Sequence, residues 1–269
     1  MLGKRILTGA VLVLLLAGAL LSGRGWPFPL FVGGAVLVCA MEFSGMFFSS
    51  ASEKGILVAA VLLAYASGAF LPVPLSLPGV LVCAGLAAFF FIGGDRDPAE
   101  KARAAGLAAL GALYIGGFPS TYVWTLRLPE GRYWVLLGIV AVAAGDTAAY
   151  FTGKAFGRRP LSPRVSPNKT VEGAAGGLAA SLVAGAGVAA AFLPAVPWGY
   201  AALVSVLVGA AGQAGDLFES LLKRAAGVKD SGTILPGHGG MLDRADAAIA
   251  AGPVLYLAAV LSGMAGGGG

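Results

Sequence analysis

The chain has 269 residues, 58% of them hydrophobic and only 12% charged, with a mean hydropathy of +0.85. Soluble domains carry roughly 25% charged residues, so this composition excludes an ordinary water-soluble enzyme. The formal charge of +5 fits basic loops on the cytoplasmic side of a membrane; with no RNA-binding motif and no basic stripe interleaved with aromatics, nucleic acid is not an expected partner.

The opening stretch, MLGKRILTGAVLVLLLAGALLSG, has the charge and apolar run of a signal peptide. The run is long for a signal core and more spans follow, so it is expected to be an uncleaved first helix. Apolar stretches long enough to cross hydrocarbon, ~20 residues each, then recur along the chain. The expected helices cover 5–22, 28–48, 55–71, 78–94, 104–126, 133–153, 173–193, 198–215 and 247–264. Pro and Gly punctuate the joins, as at Pro27–Pro29, Pro72–Pro78 and Pro194–Pro197. The fold class is therefore all-α, a polytopic integral membrane protein of about nine transmembrane helices. Cys39 and Cys83 fall inside apolar stretches without metal-ligand spacing and read as small buried residues.

Charge sets the expected orientation. With the N-terminus cytoplasmic, every Lys and Arg except Arg24, Arg127 and Arg132 falls on the cytoplasmic side. The same arrangement puts both long polar connections, 154–172 and 216–246, in the cytoplasm. The 43 glycines suit close packing of membrane helices, and they point weakly to a homodimer.

The second of those connections concentrates polar chemistry. If 213–227 is helical, Gln213, Asp216, Glu219, Ser220, Lys223 and Arg224 recur at spacings of three and four and share one face. Read alone, this is an interfacial helix with an i,i+4 pair between Glu219 and Lys223. Asp216 argues for more, because it directly follows an apolar run, where an ionisable side chain is costly and usually functional. Next comes LPGHGG, in which Pro236 removes a donor and Gly237, Gly239 and Gly240 permit positive φ. Such a loop is either an ordinary turn or a cradle of N–H groups for an anion. Asp243, Arg244 and Asp246 follow, with Asp243 and Asp246 on one face of a helix that starts there.

Asp216, Asp243 and Asp246 on two helix ends, with bases and a glycine loop between, suit Mg²⁺ holding a polyphosphate. Cations and backbone donors then spread the charge of a reacting phosphoryl group. His238 reads two ways, as a phosphate donor or as a brace for the loop; a lone His supports neither a zinc site nor a Ser-His-Asp triad.

These residues resemble a known signature. Ser220, Lys223-Arg224, Lys229-Asp230, Gly232, Leu235-Pro236, His238-Gly239-Gly240, Asp243-Arg244 and Asp246 reproduce that of the phosphatidate cytidylyltransferases, the CDP-diacylglycerol synthases. Ala245 departs from it, where the family carries a larger apolar residue or Thr. AGDTAAYFTGKAFGRRPLSPRVSPNKTVEG is similar to a second family region through Asp146, Ala149-Tyr150, Gly153, Gly157, Ser162-Pro163, Ser166-Pro167, Lys169-Thr170 and Glu172-Gly173. Residues before about 130 carry little beyond compatible hydropathy.

The resemblance implies an enzyme that joins CTP to phosphatidic acid, giving CDP-diacylglycerol and pyrophosphate, with Mg²⁺ and room for a second cation. It implies a bacterial-type inner membrane, an active site facing the cytoplasm, and a lipid groove opening sideways to the bilayer. Residues 1–130 become a transmembrane scaffold with potential dimer contacts, and 131–269 a catalytic membrane domain. Asp216, Asp243 and Asp246 are expected to bind metal. Lys169, Lys223, Arg224, Lys229 and Arg244 are expected to offset phosphate charge, with His238 beside them. Ser166, Asn168, Gly237, Gly239 and Gly240 are candidates for substrate contact. Glu219 is either a supporting residue or a ligand. Asp230 orients Lys229 or the glycine loop, and Asp146 pairs with a basic residue of the site rather than binding metal directly. Two rivals stand beside this expectation: a CTP-dependent lipid kinase, and an ion-coupled transporter using the same acids.

Overall fold

The structure is a computed structural model; it describes residues 2–22, 24–93, 97–234 and 239–266, without the side chains of 2–8 and 264–266. The helices are α1 (Leu2–Leu21), α2 (Pro27–Phe47), α3 (Ala51–Phe70), α4 (Val73–Phe90), α5 (Pro98–Leu110), α6 (Phe118–Leu126), α7 (Gly131–Phe156), α8 (Val171–Phe192), α9 (Trp198–Ala225) and α10 (Leu242–Gly266). A π-helical stretch, Gly111–Gly117, joins α5 to α6, so Pro98–Leu126 forms one helical span. Among the described residues, eight helical stretches are long and apolar enough to cross a bilayer, and Gly9–Leu21 adds a shorter apolar one. The chain is thus an all-α polytopic membrane protein, with one short hairpin in which β1 (Pro160–Ser162) pairs antiparallel with β2 (Ser166–Thr170).

Helix ends follow local chemistry. Proline occupies the first turn of α2, α4 and α5, where its missing N–H is no loss. The Asp97 side chain caps α5 by accepting from the Ala99 N–H at 2.9 Å. Thr170 does the same for α8, accepting from the Gly173 N–H at 3.0 Å. α7 runs past its expected end to Phe156, and α9 runs unbroken to Ala225, joining the expected span 198–215 to the polar helix read over 213–227, so their polar C-terminal turns carry functional candidates on rigid helix.

The chain divides into two compact units. One comprises Met1–Val123 with Ala226–Ala245, and the other Trp124–Ala225 with Asp246–Gly269. The first is built around α2, α3, α4 and the π-helical stretch. Ala64, Val80, Ala84 and Ala112 form a core there, with Cys83 packed against it. Cys39 is buried and Cys83 half-buried, both as free thiols. The Tyr65 hydroxyl donates to the Pro29 carbonyl at 2.6 Å, tying α3 to α2.

The second unit packs α7 against α8 and α8 against α9. Small residues let these helices approach closely: a Cβ at Gly177 would lie 2.9 Å from the Gly145 carbonyl and 2.7 Å from the Gln213 side chain. Hydrogen bonds cross the same contacts. Ser181 donates to the Ala141 carbonyl at 2.8 Å, and the Gln213 amide donates to the Ala174 carbonyl at 3.0 Å. In lipid, where apolar burial does not drive helices together, such polar links and close contacts do.

Candidate active site

The last turns of α9 bury part of the polar stripe. Glu219 is fully buried and Ser220 buried, while Leu221 on the opposite face is 48% exposed. An interfacial helix facing water would show the reverse. The middle of the polar stripe, Glu219 and Ser220, therefore turns inward, while Arg224 at its end is exposed and Leu222 of the apolar face is also buried.

Acids and bases meet on that inward stripe. Lys223 Nζ lies 2.6 Å from Glu219 Oε2, the i,i+4 pair anticipated from spacing. Lys169, from strand β2, reaches Asp216 Oδ2 at 2.6 Å. Asp146, on α7, lies within electrostatic reach of both Asp216 and Lys169. Asp246, on α10 and buried, has Asp216, Glu219 and Asp146 as like-charged neighbours. A Cβ at Gly215 would lie 2.6 Å from the Asp246 carbonyl oxygen; only glycine lets α10 come this close to α9.

The hairpin is fixed from both ends. Glu172 Oε2 accepts the backbone N–H groups of Arg158 and Arg159 at 3.0 and 3.1 Å, and the Arg159 side chain reaches Oε1 at 3.3 Å. With Thr170 capping α8, β2 is held where Lys169 can meet Asp216. Arg224 Nε donates to the Val165 carbonyl at 3.4 Å, so the end of α9 also holds the hairpin turn. Ser166 is half-buried in β2 and Asn168 exposed.

The remaining candidates lie in the segment that groups with the first unit, or at its edge. Lys229 and Asp230 are exposed, as is Arg244 in the first turn of α10. Gly237 and His238 lie outside the described residues. Gly239 has φ +81, a conformation that L side chains rarely adopt. Asp243 Oδ2 accepts three donors: the Ser231 N–H at 3.1 Å, the Ser231 hydroxyl at 2.9 Å and the Gly240 N–H at 2.9 Å. One residue absent from every expectation also reaches this segment. Glu42 of α2, only 6% exposed, accepts from the N–H groups of Met241 and Leu242, each at 2.9 Å.

A partly buried, acid-rich cluster flanked by lysines suits the binding of a polyphosphate through a cation. The sequence profile described as the cytidylyltransferase family matches residues 3–262. The chain belongs to that family. A phosphatidate cytidylyltransferase of Bacillus subtilis (strain 168) is 44% identical over 153 residues, a stretch covering 56% of each chain. One from Brucella suis biovar 1 is 44% identical over 147 residues, covering 54% of each. One from Synechocystis sp. is 41% identical over 147 residues, covering 54% of this chain and 50% of its own. The chain thus matches about half the length of these curated relatives.

For a cytidylyltransferase, the donor set of the second unit is chemically apt. Asp146, Asp216, Glu219 and Asp246 are neighbours, with Lys169 paired to Asp216 and Lys223 to Glu219. The excess of hard oxygen donors is what Mg²⁺ selects. Among the described residues, no three His, Cys, Asp or Glu side chains form a ready cation cage; lysine nitrogens already contact Asp216 and Glu219 oxygens.

Proposed function

We propose that this chain transfers the cytidylyl group of CTP to phosphatidic acid, giving CDP-diacylglycerol and pyrophosphate for phospholipid synthesis. The observation that carries the reading is the meeting of Asp216, Glu219 and Asp246 with Lys169 and Lys223 inside a membrane unit. Family membership and relatives named phosphatidate cytidylyltransferase support it.

The phosphatidate phosphate oxygen attacks the α-phosphorus of CTP. An oxygen–phosphorus bond forms there as the bond to the β-phosphate bridging oxygen breaks, and pyrophosphate leaves. Since the second pKa of a phosphomonoester is about 6, the attacking oxygen is ionised near neutral pH and needs no protein base. The work of the protein is to position and neutralise. Asp216 and Asp246 would hold Mg²⁺, with Asp243 assigned to the same task by the signature and Glu219 supporting. Bound Mg²⁺ would neutralise triphosphate oxygens and favour departure of pyrophosphate.

Lys169 and Lys223 lie beside the acids and offset phosphate charge, together with Arg224, Lys229 and Arg244. Ser166 and Asn168 on β2 are placed in the nucleotide contact, and Asp146 keeps Lys169 in position. In this reading the N-terminus and the site face the cytoplasm, where CTP is made, across a bacterial inner membrane. The lipid tails stay in hydrocarbon along the glycine-rich helices, which also supply a homodimer contact.

Purified protein given CTP, phosphatidate and Mg²⁺ should release pyrophosphate, and Asp216→Asn and Asp246→Asn variants should not. Release of CDP in place of pyrophosphate would make the protein a lipid kinase instead.

A further inference from the structure

We propose that Glu42 is a positioning residue for this reaction: from the second helix it fixes the first turn of α10 and, through Ser231, the Asp243 carboxylate. The inference rests on the proposed function for its consequence in turnover. Its structural part stands on geometry within the first unit alone.

Glu42 is the only charged residue of α2, in a helix otherwise apolar enough to cross a bilayer. A carboxylate in such a place is costly unless it is matched, and this one is matched by two backbone donors and a hydroxyl shared with Asp243. Oε1 accepts the Met241 N–H at 2.9 Å, Oε2 accepts the Leu242 N–H at 2.9 Å, and the Ser231 hydroxyl lies 3.2 Å from Oε2. The two backbone donors stand at the start of α10, where N–H groups lack partners within the helix and the helix dipole favours a negative charge.

The signature glycines are built around the same side chain. A Cβ at Gly232 would lie 2.6 Å from Glu42 Oε1, and one at Gly240 would lie 2.7 Å from Glu42 Oε2. Gly232 of the signature and Gly240 of the expected anion loop thus let the segment close over Glu42. Ser231 completes the link. Its hydroxyl has one proton and stands between two carboxylates, at 3.2 Å from Glu42 and 2.9 Å from Asp243. The N-terminal helices are therefore more than a scaffold: one of their side chains sets where Asp243 sits.

A purely structural cap would also accept these donors, so the test must separate local positioning from general stability. Glu42→Gln keeps the shape and puts an amide donor where one acceptor oxygen faced N–H groups. Ser231→Ala is the milder companion, cutting only the hydroxyl between Glu42 and Asp243. Both would be purified in nanodiscs and compared with the wild type by hydrogen exchange and by turnover across a Mg²⁺ titration. The expected result is exchange in peptides covering 239–250 faster by about tenfold with the other spans unchanged. It is accompanied by a kcat lowered about tenfold and a higher half-maximal Mg²⁺ concentration. Ser231→Ala should move each quantity in the same direction by less. Wild-type exchange at 239–250 in Glu42→Gln, or equal loosening of every span, would overturn the proposal. So would a kcat and Mg²⁺ requirement unchanged in both variants. The exchange arm needs no substrate, so it decides the positioning role even where the proposed activity fails.

Discussion

Lys169 places its ammonium nitrogen 2.6 Å from Asp216 Oδ2, joining a hairpin strand to the membrane helix α9. The two side chains are 27% and 36% exposed. The Lys169 nitrogen is itself shielded from solvent, but Asp216, the partner left behind if Lys169 is removed, keeps about a third of its side chain exposed, so losing the pair should cost little stability, about 1 kcal/mol. In the proposed reaction its value would lie in keeping a cation beside the Asp216 carboxylate.

Lys169→Met should therefore leave the melting temperature in detergent almost unchanged while lowering kcat by about 10²-fold, the scale of losing one charge-stabilising donor. Thermal unfolding and steady-state turnover measured on the same preparation check this. A clear loss of stability with turnover intact would assign the pair to the fold.

Lys223 and Glu219 should behave in the opposite way. Glu219 is fully buried and the Lys223 side chain is only 14% exposed. Lys223→Met strands a buried carboxylate and should destabilise by about 3 kcal/mol, whereas the double variant with Glu219→Leu should recover most of that loss. Neither should turn over substrate. Equal stability of the single variant and the wild type would show that Glu219 does not depend on Lys223.

Asp243→Asn should stay folded. Its side-chain oxygen can still accept from Ser231 and Gly240. What it loses is charge, and turnover should fall by about 10³-fold or more. Near-normal turnover would remove Asp243 from the metal site.

The charge distribution predicts which way the chain faces. A cysteine introduced at position 4 in an otherwise cysteine-free chain should react with an impermeant maleimide only after the cells are opened. Labelling of intact cells would reverse the orientation and put the polar segments outside.

The spans were legible because a bilayer demands long apolar stretches whatever the tertiary contacts. The stripe from Asp216 to Arg224 was legible because a helix writes its faces into spacings of three and four. Its direction was less so: periodicity cannot tell whether a polar face meets water or a protein interior, and here Glu219 turns inward. The hairpin escaped notice because PLSPRVSPNKT lacks alternation and is broken by Pro160, Pro163 and Pro167, and its order comes from Glu172 and Arg224 beyond it. Glu42 had no local signature at all. Its partners, Ser231, Met241 and Leu242, lie 189 to 200 residues away, and one acid in an apolar run gives no spacing to read. The π-helical stretch at Gly111–Gly117 likewise reflects packing, with Gly111 against Phe43 and Leu57, rather than a sequence rule.

The central claim is transfer of the cytidylyl group itself. Purified protein would be incubated with phosphatidate, Mg²⁺ and CTP carrying radioactive phosphorus at either the α or the γ position. Label should enter the lipid product from α-labelled CTP and not from γ-labelled CTP, whose label leaves as pyrophosphate. Label entering lipid from the γ position alone would contradict the claim.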